Sequence, residues 1–152
     1  MMDARIIRAR LRGAAFIGGQ FFACAVAMAD VRATDAWVRG TVAAQSSTGA
    51  FLTVTSSEDA KLVGVSTPIA RMAEIHKTEN HGGMMHMEGV AAIDLPAGKP
   101  VALQPGGFHV MLMGLKGPVK QGTRVPLEIT VEDRNGRRST VRVEAAVRPL
   151  GE

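Results

Sequence analysis

The sequence predicts an all-β fold, a sandwich or barrel of short strands, on three observations. From Val31 onward, short runs rich in Val, Ile, Thr and other apolar residues alternate with Gly, Pro, Asn, Asp and Ser, at the spacing of a β-sandwich or barrel. No run keeps a helical period of about 3.6 residues over eleven or more positions. The composition, 46% hydrophobic and 21% charged, belongs to a folded chain rather than a disordered one. At 152 residues the chain fits one domain with a core of its own. It shows no internal repeat, low-complexity tract or interdomain linker.

The first element is not part of that fold. Residues 1–29 begin with Arg5, Arg8, Arg10 and Arg12, continue through an apolar, small-residue stretch from Gly13, and end in Ala27-Met28-Ala29 before Asp30. This is the order of a secretory signal: positive n-region, apolar h-region, A-x-A cleavage site. We read it as cleaved, in preference to an uncleaved anchor. Lipidation at Cys24 is the less favoured route, because Phe21-Phe22-Ala23-Cys24 lacks the usual Leu. The domain boundary is therefore expected at 29/30, with 30–152 as the folded unit and an extracytoplasmic, periplasmic location.

Removing the signal changes the charge. The whole chain carries 18 Lys and Arg against 14 Asp and Glu, a formal +4. Residues 30–152 keep 14 basic and 13 acidic side chains. The basic character belongs mostly to the signal, and the electrostatic case for nucleic acid disappears. Cys24 is the only Cys, so the mature chain has no thiol. Disulfide exchange, thiol catalysis and cysteine-ligated metals are excluded.

The expected strands are Val31–Val38, Phe51–Ser56, Lys61–Ser66, Met72–Thr78, Met84–Leu95, Pro100–Gln104, Phe108–Leu115, Val125–Val131 and Ser139–Val147. The last two can be paired in detail. A two-residue Asn135-Gly136 turn would set Val141 against Thr130. A longer loop with Gly136 left-handed pairs Asp133 with Arg137, Ile129 with Val141 and Leu127 with Val143. Cross-strand partners share a face, so the second register is preferred.

The soft donors are concentrated in one window. All four His, at 76, 81, 86 and 109, and six of the nine Met, at 72, 84, 85, 87, 111 and 113, lie between positions 72 and 113. Glu74 to Met87 reads as a hairpin with its turn over Asn80–Gly83. That turn sets Glu79 against Met84 and His76 against Met87. His76 shares its face with Thr78 and Met85, while Ala73, Ile75, Met84 and His86 take the other. In Phe108–Met113, His109, Met111 and Met113 share one face, and Val110 and Leu112 point into a core. Pro105-Gly106-Gly107 places His109 near a strand end. Met72 and Trp37 are expected in the core, with a Met–aromatic contact near the site as the second reading for Trp37. His81, Met84, Met85 and His86 are expected in loop or surface roles, with auxiliary copper contacts as the second reading, and Met113 packs beside the site or ligates nearby.

His76, Met87, His109 and Met111 thus form a candidate metal set of two imidazoles and two thioethers. Such neutral, soft donors favour Cu(I). Zinc prefers thiolate, imidazole and carboxylate, and calcium and magnesium prefer oxygen. A blue-copper electron carrier needs a Cys ligand, which the mature chain lacks. A metal-free assembly or adhesion sandwich would explain the fold but not the clustering.

The spacing is itself informative. His76 is followed by ten residues and Met87, then by twenty-one residues and His109-Val110-Met111. The flanking runs are Asp35-Ala36-Trp37-Val38-Arg39, Leu62-Val63-Gly64-Val65, Leu95-Pro96-Ala97-Gly98, Pro105-Gly106-Gly107 and Met111-Leu112-Met113-Gly114-Leu115. In these features the chain, over about residues 31–147, resembles the periplasmic PCu(A)C-type copper chaperones. The resemblance implies a cupredoxin-like Greek-key β-sandwich that binds Cu(I) through the two His and two Met, as a carrier and not an enzyme. It implies delivery towards the CuA centre of cytochrome c oxidase subunit II, in some members beside a thiol-bearing assembly factor. In others it implies general periplasmic copper homeostasis. The membrane would be approached only through the signal or the oxidase. The chain ends at Pro149-Leu150-Gly151-Glu152, without the His- and Met-rich extension that some members use for Cu(II), so the resemblance does not imply a second, Cu(II) site here.

Overall fold

Every expected run becomes a strand in the computed structural model, which describes residues 29–150. The expected signal segment, with Cys24, lies outside the described residues apart from its last position. The strands are β1 (Val31–Arg39), β2 (Ser47–Ser56), β3 (Ala60–Ser66), β4 (Ala70–His81), β5 (Met84–Gly89), β6 (Ile93–Leu95), β7 (Val101–Leu103), β8 (Phe108–Leu115), β9 (Arg124–Asp133) and β10 (Arg138–Arg148). The run expected over Met84–Leu95 divides into β5 and β6. β2 begins four residues earlier than expected, at Ser47, because the small residues Ser47 to Ala50 pair with β8 despite their weak strand preference.

The strands form one continuous hydrogen-bonded path, β5-β4-β8-β2-β1-β10-β9-β3-β6, with β7 also on β2. β1 and β10 join in parallel, and the path curls there so that its two halves face each other. The chain passes between halves at β2–β3, β3–β4, β5–β6, β6–β7 and β8–β9, the repeated crossing of a Greek-key sandwich. Ile75, Ala50, Leu52, Val110 and Leu112 of one half pack with Leu62, Val65, Leu127, Ile129 and Val131 of the other in a single buried cluster. β9 and β10 pair Ile129 with Val141 and Leu127 with Val143. Gly136 is left-handed at φ 78°, and the Asp133 amide donates to the Arg137 carbonyl at 2.8 Å. This is the longer loop expected from the cross-strand pattern.

Two irregularities shape the face opposite the core. The first is a bulge in β1 between Thr34 and Trp37, with Asp35 at φ 53°. Before it, Val31 and Ala33 point inward; after it, Ala36 and Val38 do. A bulge inserts one unpaired residue and so re-aims the side chains beyond it. Trp37 is thereby turned out of the core, where it was expected, onto the outer face. It is still buried, stacked on Phe51 at 4.3 Å between ring centroids. The second irregularity interrupts the strand alongside β2. β7 and β8 both run antiparallel to β2, separated by the turn through Gln104, Pro105, Gly106 and Gly107. Gly106 takes φ 85° there, and the Gly107 carbonyl is left facing β4.

Candidate metal centre

Alternation on β4 and β8 sends Ile75, Val110 and Leu112 into the core and His76, His109 and Met111 to the outer face. The two strands are antiparallel, with His76 directly opposite His109 and Glu74 opposite Met111. The imidazole centroids are 5.8 Å apart in an edge-on arrangement. The third strand is β5. Its register differs from the expected one by two residues: Thr78, not His76, faces Met87, and His76 faces Gly89. The turn is shorter than the one placed over Asn80–Gly83. Gly82 and Gly83, at φ 63° and 89°, make a two-residue turn with both centres left-handed, the form that matches strand twist. A shift of two keeps every side chain on its face. Met87 and Met85 therefore still share the outer face with His76, and Met84 and His86 still oppose it.

The environments of the two imidazoles are unequal. His109 is 4% exposed. Its Nδ1–H donates to the Gly107 carbonyl at 3.2 Å, which also accepts from the Thr78 amide at 3.1 Å. A ring that donates from Nδ1 carries its lone pair on Nε2, and that nitrogen is buried without a partner. Burial pushes the His109 pKa below the ordinary histidine value, and the nearby His76 and Arg39 add to this; the bond to Gly107 opposes it. The ring is thus held neutral, the form that binds metals. His76 has a side chain 17% exposed, and its Nε2 lies 3.0 Å from Glu74 Oε2. Its Nδ1 is buried and also unpartnered. A carboxylate on one ring nitrogen fixes the orientation of a ligating histidine and raises its basicity. Buried polar atoms are almost always paired. The two unpartnered imidazole nitrogens lie on adjacent strands of one face and are the ring atoms open to a ligand.

The thioethers lie around this pair. Met111 is half-buried, two residues along β8 from His109, and Met87 is exposed on the edge strand β5. Among the described residues, no three His, Cys, Asp or Glu side chains are placed to hold a metal ion. Beside the two imidazoles, the thioethers of Met111 and Met87 are the soft donors this face offers. Met72 was expected in the core but lies on the outer face, opposite Met113, and is 54% exposed. Its strand parity with His76 carries it there, and parity outweighs the general preference of Met for the interior.

Four supporting residues escaped the sequence reading. Glu74 is the first. Phe51 is the second: it is fully buried although it points away from the core, because Trp37 stacks on one side and His109 lies 6.3 Å away on the other. Arg39 covers Phe51 and Arg148 covers Trp37, at 5.5 and 4.5 Å from the ring centroids, as cation–π contacts do. Gly49 is the third. It faces Met111 across the β2–β8 pair, and a Cβ there would stand 2.9 Å from the Phe51 ring. Gly89 is the fourth, opposite His76; a Cβ there would meet the imidazole at 3.9 Å. The aromatic at position 51, out of phase with the inward Ala50, Leu52 and Val54, was the legible signal.

Comparison with known proteins agrees with the fold. The family described as "Putative lipoprotein LpqE-like" matches residues 31–147. "Putative lipoprotein Lxx21020" of Leifsonia xyli subsp. xyli is 35% identical over 106 residues, 68% of this chain. The match spans 63% of that relative's length. Among solved structures, the apo PCuAC domain of PmoF1 superposes with a TM-score of 0.62 at 20% identity, over 78% of this chain and 93% of that domain. At that identity it speaks for the fold alone. The solution structure of Cu(I)-DR1885 from Deinococcus radiodurans is 38% identical over 77% of each chain, with a TM-score of 0.56. The fold is that of a PCu(A)C-type domain. The chain belongs to this LpqE-like, PCu(A)C-type family.

Proposed function

We propose that this protein is an exported carrier of Cu(I), holding one ion through His76, His109, Met111 and Met87 and passing it to an acceptor. The observation that carries the proposal is the pair of buried, partnerless imidazole nitrogens on β4 and β8, with thioethers on the same face. The kinship with a Cu(I)-binding Deinococcus protein supports the choice of metal. Four neutral donors leave the complex with the single charge of Cu(I), and soft ligands suit that ion. The lipoprotein names of its relatives support export.

The arrangement also suits release. His109 is rigid and enclosed, whereas Met87 stands on an exposed edge strand. An incoming thiolate or imidazole reaches copper from the Met87 side and displaces the thioethers first. Thiolates bind Cu(I) more strongly than thioethers, so transfer runs downhill without chemistry by the carrier. The acceptor we favour is the CuA site of cytochrome c oxidase subunit II or a thiol-bearing assembly factor that serves it. The test is a transfer assay from the Cu(I)-loaded protein to the apo CuA domain. Two Cu(I) ions delivered per apo domain, followed by the CuA absorption bands once ferricyanide is added as the one-electron oxidant, are expected. A loaded protein that retains its copper against the apo CuA domain, but yields it to other periplasmic copper proteins, would reassign the acceptor to general copper homeostasis.

A further inference from the structure

The hairpin that supplies Met87 has a second face, and it repeats the arrangement of the first. β4 contains Glu74-Ile75-His76 and, five positions on, Glu79-Asn80-His81. In both, the carboxylate Oε2 lies 3.0 Å from Nε2 of the histidine two residues later. The odd offset places the second pair on the opposite side of the strand. On that side His86 faces Glu79, and Met84 faces His81. The His81 and His86 ring centroids are 5.7 Å apart, against 5.8 Å for His76 and His109. Glu79, His81, His86, Met87 and Glu88 line an open cleft there.

Burial differs. The His81 side chain is 65% exposed, and Met84 is exposed. Water reaches this pair freely. Glu79 also accepts from the Lys77 ammonium, so it is already committed to Lys77 and His81 and acts on a metal only by fixing His81. Its bond to Nε2 leaves Nδ1 as the free donor of His81. Two imidazoles with open positions for water suit a tetragonal N,O ion, and among divalent first-row metals Cu(II) is bound most strongly by such donors. The carboxylates of Glu79 and Glu88 beside the pair, against one lysine, favour a dication over a monocation.

We propose that the back of the β4–β5 hairpin is a second metal site, binding Cu(II) through the imidazoles of His81 and His86, with Glu79 as the positioning residue. It is separate from the His76/His109 centre and does not depend on the Cu(I) reading of that centre. The test is titration of the tag-free, metal-free full chain with Cu(II) against glycine as a weak competitor, followed by electron paramagnetic resonance and pulsed detection of imidazole nitrogen. One Cu(II) with two imidazole nitrogens is expected. His81→Asn combined with His86→Asn should weaken it at least about tenfold and leave Cu(I) affinity, measured separately with a chromophoric chelator, unchanged. Glu79→Gln should weaken Cu(II) binding by a smaller factor. Undiminished Cu(II) affinity in the double variant overturns the proposal. So does a Cu(II) signal lost in His76→Asn or His109→Asn while His81 and His86 are intact, or the absence of stoichiometric Cu(II) binding.

Discussion

The two histidine pairs of the β4–β5–β8 region use the same parts in different surroundings. Each has two rings less than 6 Å apart between centroids, a glutamate on one ring, and methionine on the same face. The His76/His109 pair stands on a buried platform of Phe51 and Trp37 with one ring enclosed; the His81/His86 pair stands in water. Donor identity alone does not decide what a site does. Burial fixes rings before the metal arrives and removes water from the coordination sphere, so the enclosed pair with its sulfurs is suited to Cu(I). The open pair must order two mobile side chains on binding, which costs side-chain entropy, and it leaves room for water on a divalent ion.

The contrast can be broken at several points. Phe51→Ala removes the platform and should cost about 3–5 kcal/mol of stability, read by chemical denaturation, and weaken Cu(I) binding by loosening His109. The back-face pair should not respond in metal affinity while the protein remains folded. His109→Asn should lower Cu(I) affinity by more than about 100-fold, beyond the range for loss of an outer-sphere partner; a chelator competition titration measures it. Gly49→Ala forces the Phe51 ring to shift, at an expected cost of about 1–3 kcal/mol, seen as a lower midpoint of unfolding. Glu74→Gln should weaken Cu(I) binding about tenfold with the fold intact. The smallest effect is that of Met87→Leu on stability, within about 0.5 kcal/mol because the side chain is exposed. The same variant should still show weaker Cu(I) binding.

Much of this was legible beforehand because strand parity is a strong constraint. Parity alone assigned Ile75, Val110 and Leu112 to the core and His76, His109 and Met111 to the other side. It also set Ile129 against Val141. Pairing across the Gly82-Gly83 turn was harder. Asn80, His81 and both glycines are all acceptable turn residues, and only the backbone decides that two of them suffice. The resulting shift of two residues moved Met87 from His76 to Thr78 without changing its face. Trp37 and Met72 were misplaced for a related reason. The β1 bulge reverses parity midway along a strand with no local sequence mark stronger than Asp35, and an exposed methionine looks like a buried one in composition. Glu74, Gly49 and Gly89 acquire their roles only through partners on other strands.

A Cu(I) carrier of this kind needs sulfur to join nitrogen at the His76/His109 centre. X-ray absorption at the copper K-edge of protein loaded with one equivalent of Cu(I) tests it most directly. The expected first shell holds two nitrogen and two sulfur scatterers, with sulfur diminished in Met87→Leu and again in Met111→Leu. A shell of nitrogen and oxygen alone, or one unaltered in both variants, would contradict it.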